Sequence, residues 1–141
     1  MVTRILLIAG FLLGAIVPAA SADYASQITA YRRAHGLSAV RMDSHLNAIA
    51  LRQAQAMSAA GKISHFVAGS FVSRIGKLRD GKAAENLAAG EVTFRETLKQ
   101  WENSPGHREN LLMPGARKIG IASVSNPRSP YRMFWAMVIT D

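Results

Sequence analysis

The 141-residue chain has no cysteine, and its nine acidic residues face 17 lysines and arginines. Without cysteine, disulfide-stapled scaffolds, thiol nucleophiles, Cys-ligated zinc and iron–sulfur clusters are all excluded. A lipoprotein anchor is excluded too, because no thiol is available to carry the lipid. No H-E-x-x-H pair, internal repeat or low-complexity linker is present. The length suits one domain with one core and leaves no room for a separate cofactor domain. With 49% hydrophobic residues the composition is that of a folded chain.

What is present begins with the N-terminus. Arg4 precedes an apolar run from Ile5 to Val17, Pro18 breaks the run, and Ala20-Ser21-Ala22 offers small residues for cleavage. This is the layout of a secretory signal peptide over residues 1–22. The run is shorter than the roughly 20 apolar residues of a spanning helix, although an uncleaved anchor is the alternative. Cleavage would remove Arg4 and no acid, leaving residues 23–141 at +7. An exported basic domain is expected to meet lipid headgroups or an envelope polyanion rather than nucleic acid. A basic surface that only maintains solubility is the plainer explanation.

Helical spacing recurs in the first two-thirds of the chain. Tyr24, Ile28 and Tyr31 repeat up to a stop at Gly36, and GLSAVRM reads as a linker. Asp43 and Ser44 offer N-cap oxygens for a longer helix that stops at Gly61, with Leu46, Ile49, Ala50, Ala54 and Met57 on one face. Phe71 to Leu78 repeats the device with basic residues, Arg74 and Lys77, at its other positions. Phe94, Leu98 and Trp101 form a third stripe. Ser104-Pro105-Gly106 and Met113-Pro114-Gly115 read as turns, and KIGIASV and MFWAMVIT read as strands, the last covered on both faces. The expected class is α+β, with helices on a small, mostly antiparallel sheet.

Four histidines are candidates for chemistry. His35 suits a helix C-terminus and His45 a helix first turn, so neither carries a functional expectation. His65 follows a helix stop, and His107 follows the Ser104-Pro105-Gly106 turn. Between them lies Ala84-Glu85-Asn86-Leu87, read as a loop whose glutamate is either solvated or buried with partners. If His65, Glu85 and His107 converge, they could serve as divalent-metal ligands, as an acid/base pair or as a structural cluster. Spacing alone leaves all three open.

SHF at 64–66, AENLAAG at 84–90 and WENSPGHRENLL at 101–112 together resemble the CAP superfamily, also called SCP domains. Its bacterial branch carries Ser-His, G-E-N-I/L-A and W-x-x-S-P-G-H-R-x-N-I/L in this order. A following I-G-x-G-like strand is matched by Ile119-Gly120-Ile121-Ala122. The resemblance implies an α-β-α sandwich with a cleft holding His65, Glu85 and His107. In some members that cleft binds zinc or another divalent cation, and other members bind lipids or proteins. Three departures stand out. Ser104 occupies the place of the second cleft glutamate of eukaryotic members, with Glu102 out of phase to replace it. The disulfides are missing. Ala84 replaces the usual glycine before Glu-Asn, which restricts the turn expected there.

Two functional readings follow. The first is an exported, non-catalytic binding module acting through the His/Glu cleft on a metal, lipid, envelope or protein ligand. The second is a hydrolase, metal-assisted or using Ser64 or Ser104 as nucleophile with His107 as base, which would need an oxyanion site as well. Trp101 is expected to anchor the core, and Asn86 and Asn110 to hold backbone near the cleft.

Overall fold

The structure is a computed structural model that describes residues 19–76 and 81–141, with side chains from Asp23 onward. The signal-peptide segment before Ala19, and Leu78 with its neighbours at 77–80, lie outside the described residues.

Helix α1 (Ala19–Ala34) runs to the expected stop, where Gly36 takes a φ of 74°. Helix α2 (Ser44–Ala60) starts at Asp43, whose carboxylate accepts from the Leu46 amide at 3.0 Å. It ends at Gly61, whose left-handed backbone closes the last turn. Strand β1 (Arg41–Met42) is a two-residue piece inside the segment expected to be a linker. Helix α3 (Phe71–Ile75) covers the first part of the expected Phe71–Leu78 segment and is capped at Gly76.

Two further corrections concern the motif regions. The segment expected to be a loop at Ala84–Gly90 is largely strand β2 (Ala83–Ala89). Its alanines, glutamate and asparagine have low strand preference, and seven paired positions along β4 override that preference. Ser104-Pro105-Gly106 opens helix α5 (Pro105–Leu111), because proline at the first helical position gives up no bond. Helix α4 (Phe94–Glu102) precedes it, with a capping box between Thr93 and Glu96.

Strands β3 (Lys118–Asn126) and β4 (Arg132–Thr140) complete a sheet of order β1-β3-β4-β2. β1 pairs with β3 in parallel, and the other pairings are antiparallel. Each sheet face carries its own core. Ile28, Phe94, Leu98, Trp101 and Leu111 from α1, α4 and α5 pack on Ile119, Ile121, Trp135 and Met137. Leu46, Ile49, Ala50 and Met57 from α2 pack on Ala122, Phe134, Ala136 and Val138. The layers are therefore helix, sheet, helix, and β4 is apolar on both faces because it is covered on both. Helix α2 sits so close to β3 that a Cβ on Gly120 would collide with the backbone of Leu46 and Asn47.

Arg32 was not anticipated as a core residue. Its guanidinium is fully buried and donates to the carbonyls of Ser38, Leu111, Met113 and Ala116. It ties α1 to the connection between α5 and β3. Carbonyl dipoles take the place of a carboxylate partner.

Candidate functional site

The candidate site straddles the outer edge of the sheet at β2. One helical layer supplies the loop after α2, and the other supplies the junction of α4 and α5. Strand alternation turns Glu85 and Leu87 toward the α2 side and Asn86 toward the α5 side.

On the loop side, Gln53 is buried in α2 and donates from Nε2 to the Ser64 carbonyl at 2.6 Å, which fixes the approach to His65. His65 Nδ1 lies 2.8 Å from Glu85 Oε1. The Glu85 side chain is 2% exposed and the His65 side chain 50% exposed. Arg74 grips the same carboxylate with two bonds, Nη1 to Oε2 at 2.7 Å and Nη2 to Oε1 at 2.9 Å. Its remaining hydrogen bonds pin the loop backbone, with Nε donating to the Gly69 carbonyl and Nη2 to that of His65. A paired guanidinium is what permits a carboxylate to be buried here.

Sequence reasoning missed Arg74 and treated it as one of several basic positions. Its spacing carried a signal, since Phe71, Arg74 and Ile75 share a helix face and an arginine on an apolar face needs a partner.

On the helical side, Trp101 is fully buried and donates from its indole to the Leu87 carbonyl at 3.1 Å. Asn86 donates to the His107 carbonyl at 3.0 Å. Asn110 donates to Asn86 Oδ1 at 2.8 Å and to the Glu85 carbonyl at 3.4 Å. These bonds lock the first turn of α5, and so His107, against β2. Burial, and secondarily the nearby His65, lowers the His107 pKa. Among the described residues two buried side-chain polar atoms lack a protein partner, Gln53 Oε1 and His107 Nδ1. Both belong to residues of this site, although buried polar atoms are normally paired.

His65 and His107 line one cavity of about 390 Å³ with Ile63, Leu87, Gln100 and Ser104, and among the described residues no acidic side chain lines it. A second hollow of the same size lies beside His65 and Glu85, rimmed by the exposed Phe66 and Val72. A larger hollow of about 640 Å³ between α1 and α4 contains no histidine. Glu102 lines that hollow and pairs with Lys99 at 3.3 Å, away from the two histidines. His35 bonds the Tyr31 carbonyl, and His45 is exposed in the first turn of α2. Neither joins the cleft.

This geometry limits the chemistry. Ser64 Oγ accepts from the Phe66 amide in a local turn. Ser104 shares the cavity with His107 and makes no capping bond, yet the two side chains are not hydrogen-bonded to each other. Among the described residues no third group orients the His107 ring as a base would require. For a cation, Glu85 has both oxygens committed to Arg74 and His65. Among the described residues, no three His, Asp or Glu side chains are placed to hold an ion together. The residues therefore fit a two-imidazole contact, with Glu85 behind His65 as its hydrogen-bond partner.

Comparison with known proteins places this geometry in a family. The model of the cysteine-rich secretory protein family, CAP, matches residues 25–139. An outer surface protein from Borrelia burgdorferi superposes with a TM-score of 0.72 at 23% identity, covering 85% of this chain and 90% of that one. An extracellular SCP-domain protein from Bacillus anthracis superposes at 0.71 and 22% identity, over 89% of this chain and 44% of that one. The uncharacterized protein YkwD of Bacillus subtilis is 46% identical over 44 residues. That stretch is 31% of this chain and only 17% of the relative's length. At such identities the structural likeness speaks for the fold, and the family match extends over nearly all of the described chain. The chain belongs to the cysteine-rich secretory protein (CAP) family.

Proposed function

We propose that the chain is an exported, non-catalytic binding domain that takes its ligand at the His65–His107 cavity. The observation that carries this reading is the pair of imidazoles on one cavity, with a buried His107 nitrogen unused by the fold. That no nucleophile contacts a base among the described residues supports binding over hydrolysis. Export is supported by the signal-peptide pattern at residues 1–22 and by neighbours described as outer surface and extracellular proteins. Among the described residues, no helix is long and apolar enough to cross a membrane.

A divalent cation such as zinc is the first ligand to test. His65 and His107 would hold it, and Glu85 would orient His65 from behind. The cation would supply positive charge at the cavity, to which a further anionic or carbonyl group could bind. Excess zinc should raise the melting temperature of residues 23–141, since a ligand held only by the folded state stabilises it by about 2.7 kcal/mol at a hundred times its Kd. A His65→Ala, His107→Ala double variant should lose the rise. An unchanged melting curve for the unaltered domain removes the metal. The envelope ligand would then be tested by co-sedimentation with anionic vesicles, which should weaken with salt.

A further inference from the structure

We infer that Arg74 is the positioning residue of the cleft, fixing which nitrogen of His65 faces the ligand. The inference rests on the binding reading above and says what kind of ligand group His65 can meet.

Glu85 is a pure acceptor in this arrangement, because both its oxygens already receive N–H donors from Arg74. Oε1 receives Arg74 Nη2 and also stands 2.8 Å from His65 Nδ1, so His65 must be the donor in that second bond. A neutral imidazole carries one N–H. With Nδ1 bearing the hydrogen, Nε2 is left as a bare lone pair on the half-exposed ring. His65 therefore offers an electron pair to the cavity. It is complementary to a metal cation or to a ligand N–H or O–H group, and it does not present an N–H to a carboxylate or phosphate.

Arg74 controls this through three contacts of one side chain. It grips Glu85 with two bonds, it bonds the His65 carbonyl at 3.0 Å, and it bonds the Gly69 carbonyl at 3.1 Å. The carboxylate that selects the tautomer and the backbone that carries the ring are thus held by the same guanidinium. Its side chain is 4% exposed, so water does not compete for the grip. The two carbonyl contacts add nothing to neutralising Glu85, and charge compensation alone would not need them. A lysine could supply the charge and could not reproduce the planar fork.

The test is the tautomer of His65, read from long-range ¹H–¹⁵N correlations of the imidazole in the folded domain at pH 8. The unaltered protein should show His65 protonated at Nδ1 and bare at Nε2. In Arg74→Met the ring should pass to a mixture of both forms, and Arg74→Lys should restore the single form only in part. The Trp101 indole resonance, fixed by its bond to Leu87, reports whether each variant is folded. If Arg74→Met does not fold, Glu85→Gln keeps an oxygen for His65 while weakening the grip of Arg74, and the same mixture is expected. Zinc affinity should fall about 10–100-fold in Arg74→Met, as for loss of a group supporting a ligand histidine. A His65 tautomer unchanged in the folded variant overturns the inference, even if zinc binds. A tautomer that shifts while zinc fails to bind either protein upholds Arg74 as positioning residue and removes the metal from the proposed function.

Discussion

The two walls of the cleft are built on different principles. The helical wall, carrying His107, is fastened to β2 by neutral bonds from Trp101, Asn86 and Asn110 to backbone and to one another. The loop wall, carrying His65, is fastened by one guanidinium on one carboxylate, with Gln53 assisting. The first wall is part of the core, with Trp101 and Leu111 fully buried in it. The second hangs on charge, an arginine of the short helix α3 gripping a glutamate of β2. A ring held only through its backbone thus shares the cavity with a ring held by a hydrogen bond of its own to Glu85.

Three experiments would break or sharpen this contrast. The largest effect is expected for Trp101→Ala, which empties the centre of one core and strands the Leu87 carbonyl. Urea unfolding should show a loss of about 3–5 kcal/mol, and a loss below about 1 kcal/mol would mean the helical wall is anchored elsewhere. Asn86→Ala comes next, at about 1–3 kcal/mol for the buried partners it leaves unpaired. Its effect should not add to that of Asn110→Ala, because the two amides are one network. Simple additivity would show that they act separately.

The smallest effect concerns pH. Burial, then the neighbouring His65, lowers the His107 pKa, so the folded state favours the neutral ring. The unfolded chain takes up that proton below about pH 6.5. Stability should therefore fall as pH drops from about 6.5 toward the lower folded pKa, and be unaffected by this group above it. Melting curves between pH 7.5 and 5 should show a shallower decline in His107→Gln. An equal slope would mean that the helical wall does not feel the proton.

Much of the scaffold could be read from residues whose local preference agrees with the fold. The Asp43 cap, the Gly61 stop, the Phe94–Leu98–Trp101 stripe and the two terminal strands all fall where spacing puts them. β2 could not be read that way, because its sequence has no strand pattern and β4 imposes the conformation. Arg32 and Arg74 were hidden for a related reason. Arginine near a helix end reads as complementing the helix dipole or facing water, and Arg74 alone carried a counter-signal, in the apolar face it shares with Phe71 and Ile75. The motif blocks pointed to His65, Glu85 and His107. They gave no hint that the carboxylate is shared with an arginine.

The carbonyls of Glu85 and Leu87 lie two residues apart on a strand whose outer side has no neighbour in the sheet among the described residues. Asn110 and Trp101 occupy them from the side, as an adjacent strand would have done. Exposed edges of this kind invite pairing with another chain. The same side chains that seat the helical wall thus also occupy part of a pairing edge. A variant that loosens α5 would unseal a pairing edge along with the cleft.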